Sequence, residues 1–93
     1  MMNCRKPIDV ICLCDAGGSI RPLRIRMEDE TMEYIRVDIE EILDTRISSF
    51  PGAESVAYLC RVTIQGHPRI LEIKYSVPSH SWSLLWRLGK NWV

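Results

Sequence analysis

A chain of 93 residues, 46% hydrophobic and 26% charged, has the composition of one small globular domain, and we treat residues 1–93 as a single unit. Its 12 basic and 12 acidic side chains cancel, whereas nucleic-acid-binding proteins usually carry a basic excess. The composition excludes extensive disorder, and no run of 18 apolar residues predicts a membrane span.

Two strands and a turn are predicted in the N-terminal third. Apolar residues alternate along Ile8–Cys14, the run Asp15–Ser19 is rich in turn formers, and Ile20–Glu28 alternates again. Pro22 has no amide hydrogen to donate to a ladder, and the alternation changes parity beside it. We therefore expect a sheet edge or a bulge at this proline.

The third predicted strand, Glu33–Ile39, fits the second in one register. Placing Met27 opposite Ile35 aligns the inward-facing residues of both strands. The outward pairs in this register are Arg26–Arg36 and Arg24–Asp38. Cross-strand charge pairing can thus neutralise part of the outer face.

Residues 38–48 fit two structures. Ile39, Leu43 and Ile47 belong to a helical stripe and also share strand parity. Glu41 and Thr45 are misfits to the strand pattern. We favour a bent strand that continues to about Arg46, with a helix as the alternative.

The C-terminal part predicts a three-stranded meander. Its strands are Val56–Ile64, Leu71–Val77 and Trp82–Leu88, joined by loops at Gly66–Arg69 and Pro78–Ser81. The predicted inward pairs are Ile64–Leu71, Val62–Ile73, Cys60–Tyr75, Val77–Trp82, Tyr75–Leu84 and Ile73–Trp86. Six strands in up-and-down order with one apolar face predict an all-β, antiparallel, partly open barrel of the SH3-like kind.

The thiols and imidazoles do not predict a cofactor or a metal site. The first apolar run, Ile8–Leu13, is too short for a signal peptide, so we expect a cytoplasmic protein with free thiols. No C-x2-C or C-x4-C spacing is present, and Cys12 and Cys14 are expected to be small core residues. His67 and His80 are expected in solvated loops.

No catalytic motif is recognisable. The chain lacks a phosphate-binding glycine loop, a nucleophile elbow and an H-E-x-x-H zinc motif. The acidic cluster at residues 28–33 lacks the spacing of a calcium loop and is expected to be a solvated turn. We therefore predict a non-enzymatic protein, and the sequence identifies no small-molecule substrate.

Charge is distributed unevenly. Residues 1–27 carry a net +3, residues 28–44 a net −7 and residues 45–93 a net +4. Six arginines are expected on outward strand faces: Arg21, Arg24, Arg26, Arg36, Arg61 and Arg69. The favoured interpretation is cross-strand pairing with acidic residues such as Asp38, Glu40 and Glu72. The alternative is an anion-binding surface with Tyr34 as a stacking group.

Three tryptophans lie near the C-terminus. Trp82 and Trp86 share a strand face and are expected in the core, or else in an apolar patch that a partner covers. Trp92 follows Gly89 and is the strongest single candidate for a contact residue.

These features together predict an interaction module. It would bind a protein partner, or itself as a homo-oligomer, through a strand edge and the Trp-bearing C-terminus. The alternative is weak nucleic-acid binding by the arginine-bearing strands. The candidate contact residues are Trp92, Trp86, Arg24, Arg26 and Arg36.

Several segments resemble a known group of proteins. The runs 6–12, 18–26, 58–61 and 71–75, with Trp82, resemble a family of short uncharacterised proteins from Gram-positive bacteria. More loosely, Pro22–Arg26, Glu40–Asp44 and the terminal Trp strand look like a small SH3-like β family. Some of its members occur near DNA-repair polymerases, so this second resemblance implies a small barrel in a nucleic-acid context. Neither resemblance assigns functional residues.

Overall fold

Two antiparallel sheets make up the computed structural model, which describes residues 5–28 and 31–85. Its strands are β1 (Arg5–Pro7), β2 (Asp9–Cys14), β3 (Ile20–Glu28), β4 (Tyr34–Asp38), β5 (Glu41–Ser48), β6 (Ser55–Ile64), β7 (His67–Ser76) and β8 (Ser81–Leu85). One sheet has the order β1-β8-β7-β6-β5 and the other the order β2-β3-β4. The all-β, antiparallel prediction is confirmed.

The predicted single meander of six strands in an SH3-like barrel is wrong. The described chain has eight strands in two sheets. A strand that was not predicted, β1, precedes Ile8 and lies in the other sheet from β2. The predicted bent strand divides between Asp38 and Glu41 into β4 and β5, which also lie in different sheets. Where the chain passes from one packed sheet to the other in this way, it forms a corner of the two-sheet structure.

Backbone hydrogen bonds show how the second corner is made. The amide of Ile39 donates to the carbonyl of Leu23 in the three-stranded sheet, at 2.9 Å. The next amide, that of Glu40, donates to the carbonyl of Arg61 in the five-stranded sheet, also at 2.9 Å. Successive amides thus bond to different sheets, and strand pairing is interrupted at this point.

Bulges account for both breaks in parity that the sequence contains. In the β2–β3 pair Ile11 opposes Arg24 but Cys12 opposes Pro22, which leaves Leu23 as the extra residue. The bulge expected beside Pro22 is therefore present. A second irregularity leaves Leu43 unpaired in β5 and gives Ile42 and Thr45 inward-facing partners. The preference for strand over helix at residues 38–48 is confirmed, but the strand is a separate one, β5, that begins at Glu41 and extends to Ser48 instead of continuing the third strand.

The predicted register between β3 and β4 is confirmed in full. Met27 opposes Ile35, Arg26 opposes Arg36 and Arg24 opposes Asp38. A slip by one residue would have moved every apolar side chain of this pair to the solvent face.

The predicted register between β6 and β7 is wrong by four residues. These strands are joined by the two-residue turn Gln65–Gly66, whose positive φ angles of 53° and 81° are those of a tight hairpin. This turn brings Pro68 into β7, at an end that β8 does not reach. The pair Cys60–Leu71 thus replaces Cys60–Tyr75. A shift of four residues leaves the same side chains facing inward.

The predicted register between β7 and β8 is wrong by two residues. Ser76 pairs with Ser81, so residues 77–80 form the turn and His80 takes a positive φ of 52°. Tyr75 therefore opposes Trp82, and Val77 is left exposed in the turn.

The core lies between the two sheets. The three-stranded sheet contributes Ile25, Met27 and Val37, each at most 3% exposed. The five-stranded sheet contributes Tyr58, Cys60, Val62, Leu71, Ile73 and Leu84. The Tyr58 hydroxyl also donates to the carbonyl of Ile20 at 2.7 Å, which links the two sheets by a hydrogen bond.

Candidate functional site

The three arginines predicted as contact residues lie together on the outer face of the three-stranded sheet. Arg24, Arg26 and Arg36 line an open groove of about 310 Å³. The β2 strand supplies one wall through Asp9 and Ile11. The parity of β3 and β4 produces this grouping, because alternate residues of neighbouring strands share one face.

Two of these arginines are already paired with acids. Arg24 Nε lies 2.6 Å from a carboxylate oxygen of Asp38, as the cross-strand register predicts. Arg26 forms an ion pair with Asp9, which lies opposite it on β2. Pairing with Asp9 was not among the partners that the sequence suggested.

Arg36 differs from its two neighbours. It lies directly opposite Arg26 and has no ion pair within the part of the chain that the structure describes. Like charges directly opposite each other destabilise a strand pair. Arg36 is therefore the guanidinium of this groove that remains free for an anion.

Tyr34 supplies an aromatic ring beside these arginines. Its side chain is 67% exposed, and the guanidinium carbon of Arg26 lies 5.1 Å from its ring centroid. This geometry is a cation–π contact on a residue that remains largely exposed. The expected association of Tyr34 with the arginine face is thus present.

The other predicted arginines do not join the groove. Arg61 pairs with Glu41 on the five-stranded sheet, and Arg69 donates to the carbonyl of Pro68. Glu72, a suggested partner of the six arginines, pairs instead with Arg5 at 3.4 Å. Cross-strand pairing is therefore real on both sheets, but its partners are only partly those expected.

Within residues 5–28 and 31–85 the two sheets have four edge strands, and three of them carry features that discourage further pairing. β1 has three residues and contains Lys6 and Pro7, while β4 ends in Arg36, Val37 and Asp38. β5 is interrupted by its irregularity at Leu43 and bears two acids and an arginine. Charge, proline and bulges all hinder the addition of another strand.

β2 lacks these protective features. Five of its six residues, those after Asp9, are apolar. Ile11 and Leu13 are 59% and 55% exposed on the outer face, and Cys12 and Cys14 are exposed on the other. Within the described chain this strand pairs only with β3. Among the described residues β2 is thus an open, apolar edge without a bulge of its own.

The expectation that Cys12 and Cys14 are core residues is wrong. Their parity is inward and Cys12 opposes the buried Pro22, yet both thiols are exposed. Of the three described cysteines only Cys60 is buried, and its burial raises its pKa to about 12. Cys12, Cys14 and Cys60 are free thiols in the structure.

No metal-binding cluster of three or more His, Cys, Asp or Glu side chains occurs among residues 5–28 and 31–85. His80 is exposed in its turn, with Nδ1 3.0 Å from the Tyr75 hydroxyl, and His67 is the exposed first residue of β7 rather than a loop residue. The same described ranges contain no helix with the length and hydropathy that crossing a bilayer requires.

The tryptophans are described only in part. Trp82 is half-buried and its ring centroid lies 5.8 Å from that of Tyr58 and 5.0 Å from that of Tyr75. Its expected place against the core is confirmed. Trp86 and Trp92, two of the candidate contact residues, lie outside the described residues.

Comparison with family models, with curated proteins and with solved structures finds no match to this chain. The resemblance to a Gram-positive family therefore remains a prediction, and any functional conclusion depends on the groove and on the β2 edge. Sequence parity located the groove. It missed the open edge, although the charge-free run Val10–Cys14 is visible in the sequence.

Proposed function

We propose that this protein is a non-enzymatic interaction module that binds a protein chain through the free edge of β2. The observation that supports this proposal is the contrast between β2 and the other three edges. An extended chain added at β2 would gain backbone hydrogen bonds along the strand and would cover Ile11 and Leu13.

Two further parts of the proposal rest on the sequence. The Trp-bearing C-terminus, with Trp86 and Trp92, would add contacts to the partner. A reducing compartment, the cytoplasm, suits the exposed thiols of Cys12 and Cys14, which would otherwise be prone to oxidation.

Placing charge on this edge tests the proposal. We expect the double variant Ile11→Lys, Leu13→Lys to lower the amount of captured partner at least about tenfold, because lysines on an edge strand oppose strand addition. The measurement is affinity capture with the tagged full chain from its host's lysate after nuclease treatment, followed by quantitative mass spectrometry. Both side chains are more than half exposed, so the fold should persist.

Ile47→Lys is the matched control, because Ile47 is 75% exposed on the other long edge strand, β5. It should leave capture unchanged. Equal capture by the wild type and by the β2 double variant would contradict a role for this edge. A separate Trp92→Ala variant tests the C-terminal contribution.

A second candidate function is weak binding of single-stranded nucleic acid on the arginine face. The observation that favours it is the convergence of Arg24, Arg26 and Arg36 on one groove beside the exposed ring of Tyr34. Guanidinium groups would contact phosphates while the ring stacks on a base. The zero net charge of the chain weighs against strong binding.

Arg24→Ala, Arg26→Ala should weaken binding to a fluorescent single-stranded DNA. The slope of log K against log salt should fall by about 0.7 for each phosphate that the variant no longer neutralises. Arg46→Ala is the control, since Arg46 is exposed on β5 away from the groove. An affinity that both variants leave unchanged would dismiss this function.

The lysine double variant separates the two candidates by the sign of its effect. New positive charge at residues 11 and 13 lies next to the groove and would strengthen binding of an anion. The same charge would weaken binding of an apolar strand.

A further inference from the structure

The apolar edge of β2 is complementary to itself, and this property singles out one occupant. We propose that β2 pairs with β2 of a second copy of this chain, antiparallel, with the two-fold axis at Cys12. The inference rests on the proposed function, since it identifies the chain that binds the same edge. It makes the two three-stranded sheets one continuous sheet.

Register selects the position of the axis. In a two-fold pair that keeps the same face of both sheets outward, residues of equal parity oppose each other. With the axis at Cys12, the pairs are Cys12–Cys12, Ile11–Leu13 and Val10–Cys14. Every one of the five apolar residues then faces another apolar residue.

The neighbouring registers do not achieve this match. An axis at Ile11 places Asp9 opposite Leu13, and an axis at Leu13 places Asp15 opposite Ile11. Each of these registers lays a carboxylate against an apolar side chain and shortens the matched segment. Only an axis at Cys12, the central residue of the run, pairs all five apolar residues with apolar residues of the other copy.

Charge at the two ends of the strand is compatible with this pairing. The axis at Cys12 brings Asp9 towards Asp15 of the other copy, but both carboxylates already have partners in their own subunit. Asp9 pairs with Arg26, and one Asp15 oxygen accepts the amides of Gly17 and Ser19 at 2.9 Å. The segment between the two acids carries no charge, so pairing along it does not require the desolvation of a charged side chain.

Sheet size also favours a second copy. A three-stranded sheet is small, and joining two of them produces six strands, within the commonest range for sheets of about four to six. The outward orientation is preserved, so Ile11 and Leu13 of both copies form one apolar row between the two arginine faces.

Molar mass is the first test. The full chain has a mass of 10.8 kDa, and light scattering over a concentration series should show that mass double. Leu13→Lys should return the mass to that of the monomer, whereas Ile47→Lys on β5 should not. A wild-type chain that stays monomeric throughout the series would overturn the proposal, as would a dimer that survives Leu13→Lys.

Crosslinking tests the register and does not depend on a variant that weakens the edge. In a Cys4→Ser, Cys14→Ser background, the Cys12 residues of two copies would have Cα atoms about 5 Å apart, and a short bismaleimide should join them. In a Cys4→Ser, Cys12→Ser background, the Cys14 residues would be about 14 Å apart along the strand direction and should crosslink far less. Equal crosslinking through Cys12 and Cys14 would overturn the register.

Failure of this inference is distinguishable from failure of the proposed function. If the chain is monomeric but the β2 lysine variant still loses a captured partner, the edge binds a different chain and the self-pairing inference is wrong. If neither dimerisation nor capture depends on β2, both are wrong.

Discussion

Replacing Ile25 with alanine should destabilise the fold by about 2–5 kcal/mol, a large part of the roughly 5–15 kcal/mol that holds a small domain folded. Ile25 is 1% exposed at the centre of β3, opposite Val10 on one side and Val37 on the other. Its side chain belongs to the core that joins the two sheets. Truncation would remove apolar packing and leave a cavity that the paired strands cannot close.

Urea unfolding followed by tryptophan fluorescence measures this loss of stability as a lower midpoint with an unchanged slope. Ile47→Ala deletes the same atoms from a side chain that is 75% exposed, and its cost should stay below about 1 kcal/mol. Similar costs for the two variants would mean that Ile25 does not hold the sheets together.

Strand parity was predictable because burial of one face imposes it. The β3–β4 register followed from the sequence since apolar residues and an Arg–Asp pair both match there, Met27 with Ile35 and Arg24 with Asp38. The bulge at Leu23 was signalled by Pro22, whose missing amide hydrogen and change of parity point to the same place. Local chemistry was sufficient in both cases.

Strand parity did not determine the registers of the β6–β7 and β7–β8 hairpins. Slips of four residues in β6–β7 and two in β7–β8 preserve the inward faces, so parity cannot distinguish them. The deciding feature is the turn. Gln65–Gly66 forms a two-residue connection because Gly66 accepts a positive φ at no steric cost.

The corners could not be predicted from local pattern. The amides of Ile39 and Glu40 bond to different sheets, a choice that depends on partners far away in the sequence. The exposure of Cys12 has a similar origin. Alternation gives the direction of this side chain, but only the packing of the five-stranded sheet decides whether anything covers it.

One part of the candidate site was predictable from the sequence and the other was not. Outward parity placed Arg24, Arg26 and Arg36 on a common face, and the structure brings them into one groove. The free edge of β2 needed knowledge of sheet order, because a strand is an edge only if no other strand reaches its second side.

Unfolding the protein should raise the maleimide reactivity of Cys60 at least about 1,000-fold, while the exposed thiols of Cys12 and Cys14 change far less. Thiolate is the reactive form, and burial raises the pKa of Cys60 from 9.0 to about 12. Near neutral pH the folded chain thus has a thiolate fraction at Cys60 about three orders of magnitude lower than the unfolded chain. The measurement is peptide-resolved labelling by mass spectrometry with and without urea. Fast labelling of Cys60 in the folded protein would contradict its place in the core.

The same shift predicts how stability depends on alkaline pH. Between about pH 9 and 12 the unfolded Cys60 thiol ionises while the folded one stays protonated, so the unfolded chain binds fewer protons and the free energy of unfolding falls as pH rises. Cys60→Ala should reduce this slope, and Cys14→Ala should retain it. Tyr58, whose pKa burial and nearby Cys12 and Cys60 also raise, acts in the same direction and keeps a residual slope in the Cys60 variant. An identical slope in wild type and Cys60→Ala would show that this thiol does not titrate from the buried position.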